Sequence, residues 1–196
     1  MSKHFNAGNV WGKILELKKE STQGGTDFLM ISLDCGGKHG SVRAYGRIFG
    51  KDKIEGLVAH HKENPGTVVH FRGYIGQYEK GEDILTNFTF YAWQPDLLQA
   101  PRAAFVLVGE VKELDQIGDM WRITMHLSRK GQPGHGDLEE DFTLWSFDGS
   151  VFAGMMKGQI VELKGYMQQG EGVDDFGTAT GDVRPIVHRS RIVLGF

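Results

Sequence analysis

A single cysteine, Cys35, and only five prolines stand in this chain of 196 residues. One cysteine excludes an internal disulfide and a CxxC zinc knuckle, and its expected state is a reduced core thiol. No run approaches the roughly 20 uncharged apolar residues of a bilayer-spanning helix, and Met1–Phe5 has no apolar signal-peptide core. A soluble cytoplasmic protein is the expectation, with no membrane partner. Strong charge of one sign is missing as well. A formal net charge of −3 fits neither a basic duplex binder nor an acidic DNA mimic. Nucleophile elbows, phosphate-cradling glycine loops and HExxH pairs are absent, so the chain reads as a non-enzyme without a cofactor. His60 and His61 have no third ligand at a usable spacing. They read as a helix-surface pair, and no metal is expected.

What is abundant is glycine, 28 residues, beside a hydrophobic share of 40%. That combination suits a buried core of short strands joined by tight turns. Charge is uneven: residues 1–100 hold 12 basic and 11 acidic side chains, whereas residues 101–196 hold 10 and 14.

The chain repeats itself. Gly66-Thr67-Val68-Val69-His70-Phe71-Arg72-Gly73-Tyr74 returns as Gly158-Gln159-Ile160-Val161-Glu162-Leu163-Lys164-Gly165-Tyr166, an offset of 92 with seven of nine positions alike. Gly12–Leu17 returns as Gly109–Leu114 at an offset of 97, and Val42–Tyr45 aligns with Phe142–Trp145 at an offset of 100. An ordered internal repeat fixes architecture before any element is assigned. The connector after the third strand is then eight residues shorter in the second copy (100 − 92). In the first copy it reads as a helix, with Ile54, Leu57, Val58 and His61 on one stripe and a stop at Asn64-Pro65-Gly66. In the second copy Val151–Lys157 has room for barely two turns. Gln94–Pro101, bounded by two prolines, joins the copies and is too short to let them drift apart.

Each copy reads strand, strand, strand, helix, strand, strand; in the first these span about 8–19, 27–35, 41–49, 53–63, 67–78 and 84–93. This is the order of the five-stranded Greek-key OB barrel. The predicted fold is all-β: two tandem OB-fold barrels, residues 1–95 and 101–196, each with a short helix between strands three and four. Gly12 and Gly109 fall where a first strand bends or bulges at a barrel corner.

Residues Arg43–Lys51, then the helix, then Pro65–Gly73, resemble the third-to-fourth-strand block of bacterial and phage single-stranded DNA-binding proteins. Asp141–Phe147 through Gly165 resembles the same block again. The resemblance implies a non-catalytic protein that protects single-stranded DNA in replication, recombination or repair. Typical members carry one barrel and an acidic tail ending in Pro-Phe that recruits repair enzymes. Here the last predicted strand runs into Ile192-Val193-Leu194-Gly195-Phe196 without acids, so the expectation is a coat rather than a recruitment hub, as suits a phage or plasmid.

Alternate residues of a strand face opposite ways. In the third strand Val42, Ala44 and Ile48 fall on one side, and Arg43, Tyr45, Arg47 and Phe49 on the other. Unpaired nucleic acid offers a negative backbone beside flat bases, and a cation-aromatic alternation answers both. Burying the two rings would bury the arginines with them, which sets this row apart from ordinary core aromatics. Fourth-strand Arg72 and Tyr74, with His70, join this face, as do Tyr78 in the next hairpin arm and Phe28 and Met30 on strand two. The second copy offers Thr143, Trp145 and Phe147, then Lys164 and Tyr166 beside Glu162, with Arg122, Arg189 and Arg191 restoring some charge. Trp11 and Trp121 are either part of the face or hydrophobic plugs. Asp137, Glu139, Glu140 and Asp141 read as a solvated loop between strands two and three of the second copy.

Two functions follow: sequence-tolerant binding of single-stranded DNA, with RNA as the alternative ligand and replication or recombination proteins as partners, or a protein-protein adaptor whose aromatic face docks another subunit. Because fusion places two sites on one chain, a monomer or homodimer is expected. The first copy, with more basic groups, is expected to be the main site.

Overall fold

Buried and outward side chains alternate along most of the chain, and the computed structural model arranges them as ten strands and one α-helix among the residues it describes: 4–36, 42–80, 83–96, 98–129, 138–169 and 183–193. In order these are β1 (Phe5–Ser21), β2 (Asp27–Asp34), β3 (Arg43–Phe49), α1 (Lys51–Glu63), β4 (Val68–Lys80), β5 (Asp83–Pro95), β6 (Arg102–Ile117), β7 (Met120–Arg129), β8 (Leu138–Ser146), β9 (Ile160–Gln169) and β10 (Val183–Ile192). Gly8, Val10, Gly12 and Ile14 point inward from β1, and Ala103, Phe105, Leu107, Gly109 and Val111 from β6. The period of two sends each set to one face.

All strands belong to one mixed sheet in the order β2-β3-β5-β4-β1-β6-β7-β8-β10-β9. Extra pairings of β2 with β1 and of β6 with β9 return each set of five strands to its own start. Only β3 with β5 and β8 with β10 run parallel. The two sets meet in an antiparallel ladder of β1 with β6, from Phe5↔Val108 to Trp11↔Arg102. Its central pair, Gly8↔Phe105, is related by the same 97-residue offset as the repeat, so the ladder sits on an approximate two-fold axis. The fold is all-β and OB-like.

Bulges recur with the repeat. Leu15 is the extra residue between β1 and β2, and Lys112 between β6 and β7, three residues beyond the glycines at which a bend was expected. Gly12 and Gly109 serve close approach instead: a Cβ on Gly109 would lie 2.6 Å from the His126 carbonyl oxygen. Gly73 and Gly165 have a similar duty. A second pair of bulges, at Tyr91 in β5 and His188 in β10, pushes backbone towards them, and a Cβ there would press into the carbonyl oxygens of Thr89 and Ile186.

The sheet register corrects one alignment. Ala44 pairs with Leu33 and Phe142 with Met125, while Leu33 and Met125 face Ile14 and Val111, which the repeat equates. Ala44 therefore corresponds to Phe142 at an offset of 98, not 100, and the counterparts of Tyr45 and Arg47 are Thr143 and Trp145. The later connector is six residues shorter (98 − 92), not eight. A slip of two residues leaves every side chain on its face, so alternation alone is blind to it.

Helix α1 begins after Gly50, whose φ of 99° suits glycine, and buries Ile54 and Leu57. Its counterpart is not an α-helix. A single 3₁₀ turn, Gly149–Phe152, opens with Asp148 accepting from the Ser150 N–H at 2.8 Å and seals the core with Phe152. Gly154 and Gly158, both at positive φ, end any continuation. Cys35 is fully buried, and burial pushes its thiol pKa up to about 12. Phe71, Phe88 and Phe90 anchor the core of the first five strands, Phe105, Phe142 and Phe152 that of the last five; each such side chain contributes about 1.5–3 kcal/mol.

Glu139, Glu140 and Asp141 lie on β8 rather than in a loop; Asp137 falls outside the described residues. These strand residues pair with β7, and His126 of β7 sits between two of their carboxylates, with Nδ1 2.7 Å from Asp141 and Nε2 against Glu139. Hydrogen bonds, to Asp141 first and then Glu139, raise the His126 pKa above its ordinary 6.5, against desolvation and nearby Lys112. A histidine whose folded pKa is raised contributes stability that is full below the unfolded value near 6.5 and is lost as pH rises through the folded value. Unfolding midpoints measured from pH 5.5 to 8.5 should fall across that window, and His126→Gln should flatten this part of the profile.

Candidate nucleic-acid interface

On β3 the inward set is Ala44, Gly46 and Ile48, and the outward set is Arg43, Tyr45, Arg47 and Phe49. Position 46 is inward by the strand's alternation and takes glycine there because the Phe90 ring of β5 occupies the space of a side chain. Tyr45 is 43% exposed, Arg47 is exposed, and Arg43 and Phe49 are half-buried. Cross-strand pairing gathers neighbours around them. Met30, Arg47, Thr89 and Tyr74 lie in one row across β2, β3, β5 and β4, with Arg47 Nε donating to Thr89 Oγ1 at 3.2 Å. In the next row Phe28 pairs with Phe49, their rings 5.4 Å apart, and the Arg47 guanidinium stands 5.7 Å from the Phe49 ring. Phe28 also lines a cleft of about 600 Å³ with Lys19, Lys51 and Ile54. Arg72 and Tyr78 are exposed along β4, two strands from β3.

One residue of this face escaped the sequence reading. Tyr91 follows Phe90, the partner of Ile48, so it falls in register with Phe49, and it is 55% exposed. Thr86, Phe88 and Phe90 point inward from β5, so period two already placed Tyr91 outward; what the sequence leaves out is that β5 lies beside β3.

The equivalent row in the second set of strands is Arg122, Trp145, Ile186 and Tyr166. Trp145 thus takes the place of Arg47. Arg184, also unforeseen, stands 5.6 Å from the Trp145 ring, and Phe147 is 56% exposed. Cations here are largely spent on local acids. Arg122 makes a two-point pair with Asp115 at 3.0 and 2.6 Å, and Glu162 takes both Lys164 at 3.3 Å and Arg191 at 3.0 Å. Among the described residues no ion pair of this kind holds Arg43, Arg47 or Arg72.

Both undecided tryptophans are occupied. Trp11 stacks on His70 at 4.1 Å, is covered by Arg102 at 4.4 Å and donates to Asp96 at 3.0 Å. Burial, then Arg72, lowers the His70 pKa, so a neutral ring packs on the indole. Trp121 packs over Gly149 of the 3₁₀ turn. The Trp11 ring is thus covered by His70 and Arg102. His60 tilts against Trp93 at 5.6 Å, so it packs the helix end onto β5.

No family model and no curated protein matches the chain. Among solved structures it is similar to the wild-type single-stranded DNA binding protein from Thermus aquaticus, with a TM-score of 0.65 and 13% identity over 100% of this chain and 96% of that one. A deletion mutant of the same Thermus aquaticus protein gives 0.64 and 14% over 100% and 98%. At such identity the likeness is one of fold.

Proposed function

We propose that the chain binds single-stranded DNA with little regard for sequence, coating it in replication, recombination or repair, through two tandem OB barrels at residues 1–95 and 101–196. The two circuits of five strands and the full-length likeness in fold support that architecture. The observation that carries the function is the outward row Arg43, Tyr45, Arg47 and Phe49, with Tyr45 and Arg47 exposed and Phe28 against Phe49. Rings there meet bases, and guanidinium groups meet phosphates. No covalent step is needed. The first face does most of the binding, because among the described residues Arg43, Arg47 and Arg72 form no ion pair, while Arg122 and Arg191 of the second are held by Asp115 and Glu162. With both faces on one chain, a monomer or homodimer suffices. The neutralised cations around Trp145 and Phe147 favour a second reading for the later face, the docking of a protein partner.

Titrating tryptophan fluorescence with oligo-dT, oligo-U and duplex DNA at rising salt tests the proposal. Oligo-dT should bind more tightly than duplex, with log affinity falling linearly against log salt as counterions are released; oligo-U reports the DNA-over-RNA preference. Absence of binding, or affinity indifferent to salt, refutes it.

A further inference from the structure

We infer that Gln77 and Gln169 are positioning residues that hold the two aromatic faces in one fixed relation, so that one strand can occupy both as a single track; this rests on the single-stranded DNA reading. The cause lies in unfinished ladders. β3 pairs with β5 only over Gly46–Ile48, and β8 with β10 only at Trp145. Upstream of those pairs the backbone groups of Arg43 and Thr143 on that edge have no ladder partner among the described residues, and such groups must be satisfied elsewhere.

A carboxamide carries the donor and acceptor of one peptide unit, so a glutamine can stand in for a residue of the missing strand. Gln77 of β4 does this for β8: its Oε1 accepts from the Thr143 N–H at 2.7 Å, and its Nε2 donates to the Thr143 carbonyl at 2.8 Å. Nε2 also lies 3.1 Å from Oγ1 of Thr86, its partner on β5, which anchors the amide. Gln169 of β9, 92 residues later like the rest of this strand's repeat, accepts from the Arg43 N–H of β3 at 3.1 Å. Each set of strands thus reaches across to the other. The second contact falls at Arg43 rather than at Tyr45, the equivalent of Thr143, which is one pleat along the same face.

Position gives the contacts their effect. Arg43 and Thr143 stand two residues before Tyr45 and Trp145 on the outward side of the same strands, so each clasp holds a ring-bearing strand. Among the described residues the β1–β6 ladder is the one strand pairing between the two sets, and paired strands can differ in their relative twist. Contacts on both sides of its axis remove that freedom.

The test compares the wild type with Gln77→Ala/Gln169→Ala and with Gln77→Glu, which keeps size but sets a carboxylate against the Thr143 carbonyl. An oligo-dT of about 8 nucleotides covers one barrel face and one of about 30 reaches both. Joining two sites raises affinity by about 10²–10⁴-fold when geometry permits both to engage. The variants should lose at least tenfold of the long-over-short advantage while short-oligo affinity holds. A DNA-free arm uses spin labels on Gln23→Cys and Asp119→Cys, both exposed, with Cys35 buried; the inter-label distance distribution should broaden in the variants. An unchanged distribution overturns the inference, whether or not the melting temperature falls. Broadening with an unchanged long-over-short ratio also overturns it. If the wild type binds no oligo-dT, the DNA reading fails, and the label distances still decide whether the glutamines fix the geometry.

Discussion

Replacing Tyr45 and Arg47 together with alanine should weaken oligo-dT binding more than any other pair of exposed substitutions. Loss of one stacking ring costs about 1–3 kcal/mol, roughly a 5- to 150-fold change in affinity. Loss of one phosphate contact should also lower the slope of log affinity against log salt by about 0.7. Both side chains are exposed, and the inward neighbours Ala44, Gly46 and Ile48 stay in place, so the variant should melt within a degree or two of wild type. Trp145→Ala should cost clearly less, because its surroundings are already internally neutralised. Equal losses would remove the asymmetry between the faces. A folded double variant within twofold of wild type would remove the binding face altogether.

Gly73→Ala should give the largest loss of stability. The added methyl has nowhere to go: it meets the Thr89 carbonyl and the backbone of Phe90, forced close by the β5 bulge at Tyr91. Overpacking against a movable side chain costs about 1–3 kcal/mol, and backbone yields less readily. A loss above about 3 kcal/mol is expected, read as a lower urea midpoint. Gly165→Ala should behave alike, since Ile186 stands in the same relation to it. Gly24→Ala is the control. Its Cβ would find only Thr22 Oγ1, at 3.9 Å, and its effect should stay within about 0.5 kcal/mol.

Local order was open to reading from residues alone. Strand sequence, the first helix and the inward and outward sides of β3 and β4 follow from short-range alternation and breakers, and Tyr45 and Arg47 stand where that alternation placed them. What escaped depends on pairing between distant segments. The two-residue slip between β3 and β8 preserves every face, so no pattern of apolar residues marks it. Asp115 neutralises Arg122 because a hairpin brings β6 and β7 face to face. Glu139 and Asp141 flank His126 because β8 pairs with β7 along this stretch. Gln77 and Gln169 are ordinary polar residues until an incomplete ladder gives their amides a use.

Where a symmetric dimer would join its halves by collision, the two sets of strands that meet at the antiparallel seam of β1 with β6 are also joined covalently, through the chain between β5 and β6. Such a pair cannot come apart on dilution, and its members are released from identity: a change at one face need not be copied at the other. Arginine at position 47 opposite tryptophan at position 145 is a divergence that two identical subunits could never hold.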